Sequence, residues 1–300
     1  MEFALPIRVR WDIGPAGDSA KALRIATRIR DVEPLFVELS VDDPRALPIL
    51  SPILETFSGG FTQLSLTLGL FPGAAEAASG LSYVETVWRI VGLSDLDRLP
   101  AGAGSAAFVP DAETIARLPG VLDAFSRSAA KALHLPNINA VRALADTGRV
   151  PVPSPAQYAS FEKALEAGET DLGTRRLVVH DYFLWRILAR HFPGSLGERL
   201  EFGGCQAGGA LAYVDPAGGL YPCDALPLRL GDLSGDASFR ELWDAPARIA
   251  AVAAIGATPT GCAGCEALPA CRAGCRGLSL VAKGTLDAPD PACPGQVRSR

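Results

Sequence analysis

The chain has 300 residues, 48% of them hydrophobic and 20% charged, the proportions of a folded protein and not of a disordered one. A net charge of −5 with scattered basic residues offers no phosphate-binding surface, so nucleic acid is not an expected partner. The start Met1-Glu-Phe-Ala-Leu-Pro6 lacks the charge and apolar core of a signal peptide, and no apolar run approaches the roughly 20 residues of a membrane span, so a cytoplasmic setting without membrane attachment is expected.

In chain order, short apolar strands are predicted at Ile7–Trp11, Leu35–Val41, Thr62–Leu68, Val84–Ile90, Ser105–Val109, Ala132–Leu135 and Leu177–His180. Helical stretches alternate with them, among them Ser19–Ile29 and Arg45–Phe57. A clearer helix starts at the N-cap Ser154 with Pro155 behind it and stops at Gly168. This alternation predicts a parallel α/β sheet or partial barrel. Arg8, Arg10 and Asp12 alternate with Ile7, Val9 and Trp11, and Gln63, Ser65 and Thr67 with Leu64, Leu66 and Leu68. One polar face suggests an open barrel with a partly wet interior, an edge strand being the alternative.

His180 and Asp181 follow the last of these strands, where parallel folds commonly place functional groups. The plainer expectation is that Asp181 caps the helix running to about His191 while His180 packs or hydrogen-bonds. Gly203-Gly204 then reads as a hinge, and Asp215-Pro-Ala-Gly218 as the turn of a hairpin between Ala210–Val214 and Gly219–Cys223. Ser238 and Glu241 form a capping box for a helix carrying Leu242 and Trp243.

All seven cysteines lie from Cys205 onward, which divides the chain into two parts of different chemistry, 1–195 and 196–300. Their order is Cys205-x12-Gly218-x4-Cys223, a gap, Cys262-x2-Cys265-x5-Cys271-x3-Cys275, a gap, and Cys293. A two-residue spacer on a turn brings both sulfurs to one side, where they converge on a metal centre. Disulfides disagree with the compartment and with the odd count. Zinc would use four thiolates and leave three, and the five-residue middle spacer is short for a zinc ribbon. Iron–sulfur clusters fit this set best.

The arrangement resembles the SPASM domain, the C-terminal extension of many radical-SAM enzymes that modify peptides and proteins, whose pattern is C-x(9–15)-G-x(4)-C, gap, C-x2-C-x5-C-x3-C, gap, C. Gly231-Asp-Leu233 and Ser238-Phe-Arg-Glu-Leu-Trp243 resemble further segments of that family. The resemblance implies a degenerate partial (β/α) barrel of radical-SAM type followed by a small cysteine-rich SPASM domain with a β-hairpin and short helices. It also implies two auxiliary 4Fe–4S clusters, the first held by Cys205, Cys223 and Cys275 and the second by Cys262, Cys265, Cys271 and Cys293. Full members carry an eighth cysteine before the first, where this chain reads Ser195–Gly204 without a thiol. Candidates for the open position are Glu198, Glu201, His191, a substrate group, a partner's side chain or water.

Radical-SAM enzymes also hold a cluster on a C-x3-C-x2-C loop after the first strand, where this chain reads Gly14-Pro-Ala-Gly-Asp-Ser19. Their Gly-Gly-Glu segment after strand two is replaced by Ser40-Val-Asp-Asp-Pro44. The chain therefore resembles the SPASM-domain proteins of GeoRSP systems, which act with a true radical-SAM/SPASM enzyme and a small peptide-recognition protein. The resemblance implies a non-SAM-cleaving partner in peptide or protein maturation, without bound S-adenosylmethionine, that transfers electrons or presents substrate. Two alternatives stand beside it: an independent enzyme using the open iron as a Lewis acid, and a metal-stabilised scaffold.

Overall fold

The computed structural model describes residues 4–15, 17–81 and 83–295. Ala16 of the loop after the first strand, and Met1–Phe3 at the start, lie outside them. The backbone falls into two compact units, Met1–Trp88 with Gln206–Ala253, and Arg89–Cys205 with Ala254–Arg300. The first unit opens with β1 (Arg8–Asp12), α1 (Ser19–Arg30), β2 (Phe36–Val41), α2 (Leu47–Thr56), β3 (Gln63–Gly69), α3 (Ala74–Ser79) and β4 (Glu85–Arg89). The second continues with α4 (Leu93–Leu96), β5 (Ser105–Ala107), α5 (Leu118–Arg127), β6 (Ala132–Leu135), α6 (Ala140–Thr147), α7 (Pro155–Glu166), β7 (Arg176–Val179), α8 (Tyr182–His191) and β8 (Leu200–Phe202). The chain returns to the first unit for β9 (Leu211–Val214), β10 (Gly219–Tyr221), β11 (Gly231–Asp232), α9 (Phe239–Trp243) and most of α10 (Pro246–Gly256). It ends in the second with α11 (Leu268–Cys271) and α12 (Arg276–Lys283). This is the expected α/β architecture, and among the described residues no helix is long and apolar enough to cross a membrane.

In the first unit the strand order is β11-β10-β9-β1-β2-β3-β4. β2 lies parallel between β1 and β3, and β9 adds parallel to the other side of β1. The two-faced strands β1 and β3 are therefore interior strands, not edges. Val9, Trp11, Val37, Leu39, Leu66 and Leu68 are buried on one face. Ile25 and Ile29 of α1 and Ile53 and Leu54 of α2 are buried as well, and these two helices pack on each other. The hairpin is present as read, but its β9 strand extends the sheet of β1. Gly218, which the cysteine pattern requires, sits in its turn at φ +92°. An added Cβ would stand 3.0 Å from Ile25 and 3.1 Å from Asp232, so backbone conformation and space both call for glycine.

The polar face of the first unit carries a chain of charges. Arg10 stands opposite Glu38 in register, its Nε donating to Glu38 Oε2 at 2.6 Å, while Arg8 donates to the other oxygen. Arg10 Nη1 reaches Asp224 Oδ2 at 3.2 Å, next to Cys223. Burial alone would lower the Arg10 pKa, but the two carboxylates outweigh it and raise it. Burial alone would also push Glu38 up, yet Arg10 and Arg8 hold it at about 2, below its ordinary 4.5. A depressed carboxylate stabilises the fold above its unfolded pKa and loses that stabilisation as pH falls through the folded one. The stability advantage of the apo wild type over Glu38→Gln is thus expected to shrink by up to about 3 kcal/mol between pH 4.5 and 2. Urea titrations at both ends of this window measure it; an advantage independent of pH would show the pair to be unimportant.

In the second unit β5, β6, β7 and β8 run in that order, all parallel. Leu133, Leu135, Leu177 and Val179 of its strands are buried, as are Leu122 and Phe125 of α5, Phe161 of α7 and Leu184 and Leu188 of α8. Local capping sets the helix starts. Ser154 and Gln157 form a capping box with Pro155 at the first helical position, and Asn139 accepts from Arg142 N–H at 2.9 Å to begin α6. β8 is a strand the sequence pattern did not indicate; its Leu200 is buried, whereas Glu201 and Phe202 are exposed.

Candidate metal centre

Four of the cysteines meet in the second unit. Cys262, Cys265, Cys271 and Cys293 line one cavity of about 290 Å3, together with Phe183 and Asp290. These four are thiols and not disulfides. Tight turns deliver them. Gly261 at φ +91° brings in Cys262, whose N–H donates to Pro259 O, and Cys265 N–H then donates to Cys262 O at 3.1 Å. α11 carries the chain on to Cys271.

Between Cys271 and Cys275 the chain reverses through three successive left-handed residues, Arg272 (φ 47°), Ala273 (φ 66°) and Gly274 (φ 68°). Left-handed non-glycine residues cost on the order of 1 kcal/mol or more each, and persist only where their surroundings hold them. Asp290 does the holding. Its Oδ2 accepts from Cys275 N–H at 2.6 Å and its Oδ1 from Ala292 N–H at 2.7 Å, while Cys293 N–H donates to its carbonyl at 3.0 Å. One side chain thus ties the Cys271–Cys275 reversal to the segment carrying Cys293. Asp287 performs a similar stitch, accepting from Thr260 N–H at 2.8 Å and Oγ1 at 2.6 Å just before Cys262.

The thiols feel one another. Burial pushes the Cys262 pKa up, and Cys293, Cys271 and Cys265 add to the rise while Arg276 opposes it. Burial also raises Cys271, with Cys265 and Cys293 adding to it and the backbone N–H groups of Ala273 and Cys271 opposing. Both shifts favour the protonated thiol at Cys262 and Cys271; a metal centre held there would take up the thiolates and remove the repulsion. Four sulfurs around one cavity, with the Asp290 oxygens taken up by backbone N–H groups, suit thiophilic metal groups.

The other three sulfurs are placed differently. Cys275 caps the start of α12 and packs against Ile138, Ala140 and Leu278. Cys205 is exposed in the same unit and, like Cys262, lies within electrostatic reach of Arg276. Cys223 is buried in the first unit, beside the Arg10–Asp224 pair. Of the candidates for an open position, Glu201 pairs with Arg176 across β7 and β8 at 3.1 Å, Glu198 is exposed, and His191 stacks edge-on against Phe192 at 4.7 Å.

Asp181 does what its position before a helix suggests: it accepts from Leu184 N–H at 2.7 Å, and its second oxygen takes the Tyr158 hydroxyl at 3.0 Å. His180 packs over Gly203. In the loop after β1, Asp18 caps α1 through Lys21 N–H at 2.8 Å, and after β2 Asp43 accepts from Arg45 N–H at 2.9 Å. Sequence reading missed Asp287, Asp290 and Arg276; the signal it had was the run of turn residues Asp287-Ala-Pro-Asp290-Pro just before Cys293.

No protein-family model matches the chain, and no curated protein sequence does. Solved structures do. It is similar to anSMEcpe with bound AdoMet (TM-score 0.65, 15% identity, 95% of this chain and 94% of that one). It is similar to anSMEcpe with AdoMet and the Cp18Cys peptide (TM-score 0.64, 14% identity, 96% and 94%). It is also similar to SuiB of Streptococcus suis bound to S-adenosylmethionine (TM-score 0.56, 12% identity, 96% and 74%). The likeness shows that the chain shares the fold of these S-adenosylmethionine-bound structures.

Proposed function

We propose that this chain is an auxiliary iron–sulfur protein of a radical-SAM peptide or protein maturation system, one that holds two 4Fe–4S clusters and does not itself cleave S-adenosylmethionine. The observation that carries the reading is a cavity lined by four cysteines in a chain that shares the fold of S-adenosylmethionine-bound structures and whose first 204 residues contain no cysteine. Cys262, Cys265, Cys271 and Cys293 would hold one cluster, and Cys205, Cys223 and Cys275 the other, leaving an iron open to a ligand that is not cysteine. The four thiols line one shared cavity, and their spacing, with three further cysteines in the chain, supports a cluster over a lone zinc. In this reading residues 1–195 are a barrel that has lost its activating thiols and 196–300 are the SPASM domain.

Bound clusters supply one-electron transfer, and the chain's own residues set where it occurs. Asp290 and Asp287 fix the loops that aim the thiols. The left-handed reversal separates Cys271 from Cys275, which in this reading would serve different clusters. In this reading the chain would transfer electrons or present substrate to a radical-SAM/SPASM enzyme, with a small peptide-recognition protein as third component; the support is a cysteine framework without the activating triad.

The test is anaerobic reconstitution followed by reduction with S-adenosylmethionine present. The chain alone is expected to form no 5′-deoxyadenosine, and to bind a radical-SAM/SPASM enzyme co-expressed with it. Stoichiometric 5′-deoxyadenosine from the chain alone would overturn the reading, as would unchanged product formation by the partner enzyme without this chain.

A further inference from the structure

Arg276 opens α12 immediately after Cys275 and is 2% exposed. Its Nη1 donates to Ala257 O at 3.2 Å, and its Nη2 to Ala254 O at 3.3 Å and to Leu286 O. Its Nε is buried and has no partner among the described residues. Every one of these acceptors is a neutral carbonyl. The negative groups within reach are Asp287, an exposed carboxylate held by Thr260 at the solvent side, and the sulfurs of Cys262 and Cys205 once a metal has taken their protons. A guanidinium buried with only neutral hydrogen-bond partners is costly, because carbonyl dipoles replace part of its hydration and a solvent-screened carboxylate supplies only part of the counter-charge. The same side chain joins three stretches of backbone: the end of α10 leading to Cys262, the segment leading to Cys293, and the helix that follows Cys275.

We infer that Arg276 is the buried counter-cation of the cluster region, a positioning residue whose fixed charge is balanced by the thiolate-ligated clusters and in turn stabilises their reduced state. The inference rests on the two-cluster reading. Thiolate-bound clusters carry net negative charge, and Cys205 and Cys262 belong to different clusters in that reading, so one cation faces both. Arg186 and Lys283 line the cavity itself, but both are partly or fully exposed to solvent, which screens them. Arg276 lies behind the lining and is buried, so its charge acts through a low-dielectric medium. One-electron reduction by an added reductant such as dithionite places another negative charge on a cluster, and the buried cation favours that step.

The experiment compares anaerobically reconstituted wild type, Arg276→Gln and Arg276→Lys by iron and sulfide content and by potentiometric titration followed by EPR. With cluster content equal, Arg276→Gln is expected to lower the reduced-to-oxidised ratio at fixed potential at least tenfold, a shift of about 59 mV for one electron. Arg276→Lys keeps the charge and is expected to stay within threefold of wild type. A Gln variant that holds its clusters and titrates within threefold of wild type overturns the inference. Should Arg276→Gln fail to fold, Arg276→Lys still decides, because a tenfold fall with the charge retained overturns it too. Wild type without sulfide would instead remove the two-cluster reading on which the inference stands.

Discussion

Replacing Cys265 with alanine is expected to reduce the iron bound per chain from about eight to about four, with sulfide falling in parallel. Cys265 is the most informative of the four cavity thiols to remove. It is half-buried, and its sulfur is not part of the packed core, so the fold should tolerate the loss. Its side chain lines the cavity and contributes to the electrostatic environment of both Cys262 and Cys271. A thiolate cage that loses one of four ligands loses much of its affinity, since binding energy and local folding are coupled at such sites. Iron, sulfide and zinc analysis of the anaerobically prepared variant reads the result directly. One tightly held zinc and no sulfide in the wild type would identify a structural zinc site and end the redox reading.

Gly274→Ala is expected to destabilise the apo chain by about 3 kcal/mol or more and to impair cluster retention with it. Position 274 is left-handed, at φ +68°, which alone costs a non-glycine residue on the order of 1 kcal/mol. The added methyl would also stand 2.5 Å from Asp290 Cβ and 2.6 Å from its Oδ2. Asp290 cannot move away without giving up Cys275 N–H and Ala292 N–H, one part-buried and one buried bond to its carboxyl group. Gly264→Ala is the matching control. It too is left-handed, at φ +72°, but nothing lies within 4 Å of the added Cβ, so only the conformational cost of about 1 kcal/mol is expected. Urea denaturation of both apo variants separates the two contributions. Equal losses would mean that the Asp290 clamp contributes nothing to the Cys271–Cys275 reversal.

Much of the scaffold is legible in the residue pattern because its causes are local. Alternation of Val9 and Trp11 with Arg8 and Arg10 marks a strand with two unlike faces, and the structure buries one face and keeps the other half-exposed. Asp181, Ser154 and Ser238 announce helix starts because a side-chain oxygen reaches backbone N–H groups two or three residues away. β8 is not legible for the converse reason. Leu200–Phe202 is too short to show a period, and it is a strand only because β7 presents backbone groups for it to pair with.

The amino-acid sequence by itself determined which atoms are available: seven sulfurs late in the chain, in a spacing suited to metal centres, and none in the loop after β1. It also determined the local turns and caps, since Gly218 and the capping pairs act over a few residues of backbone. Only the tertiary structure decided that Cys262, Cys265, Cys271 and Cys293 face one cavity, that Asp290 clamps Cys275, and that Arg276 is buried among carbonyls from two other segments. The same holds for the pairing of β9 with β1, which brings residues about two hundred positions apart into register. The physical reason is common to all of these. Burial, counter-charge and strand pairing are set by groups distant in sequence, and an aspartate or arginine carries the same local signal whether it ends in solvent or against a thiol.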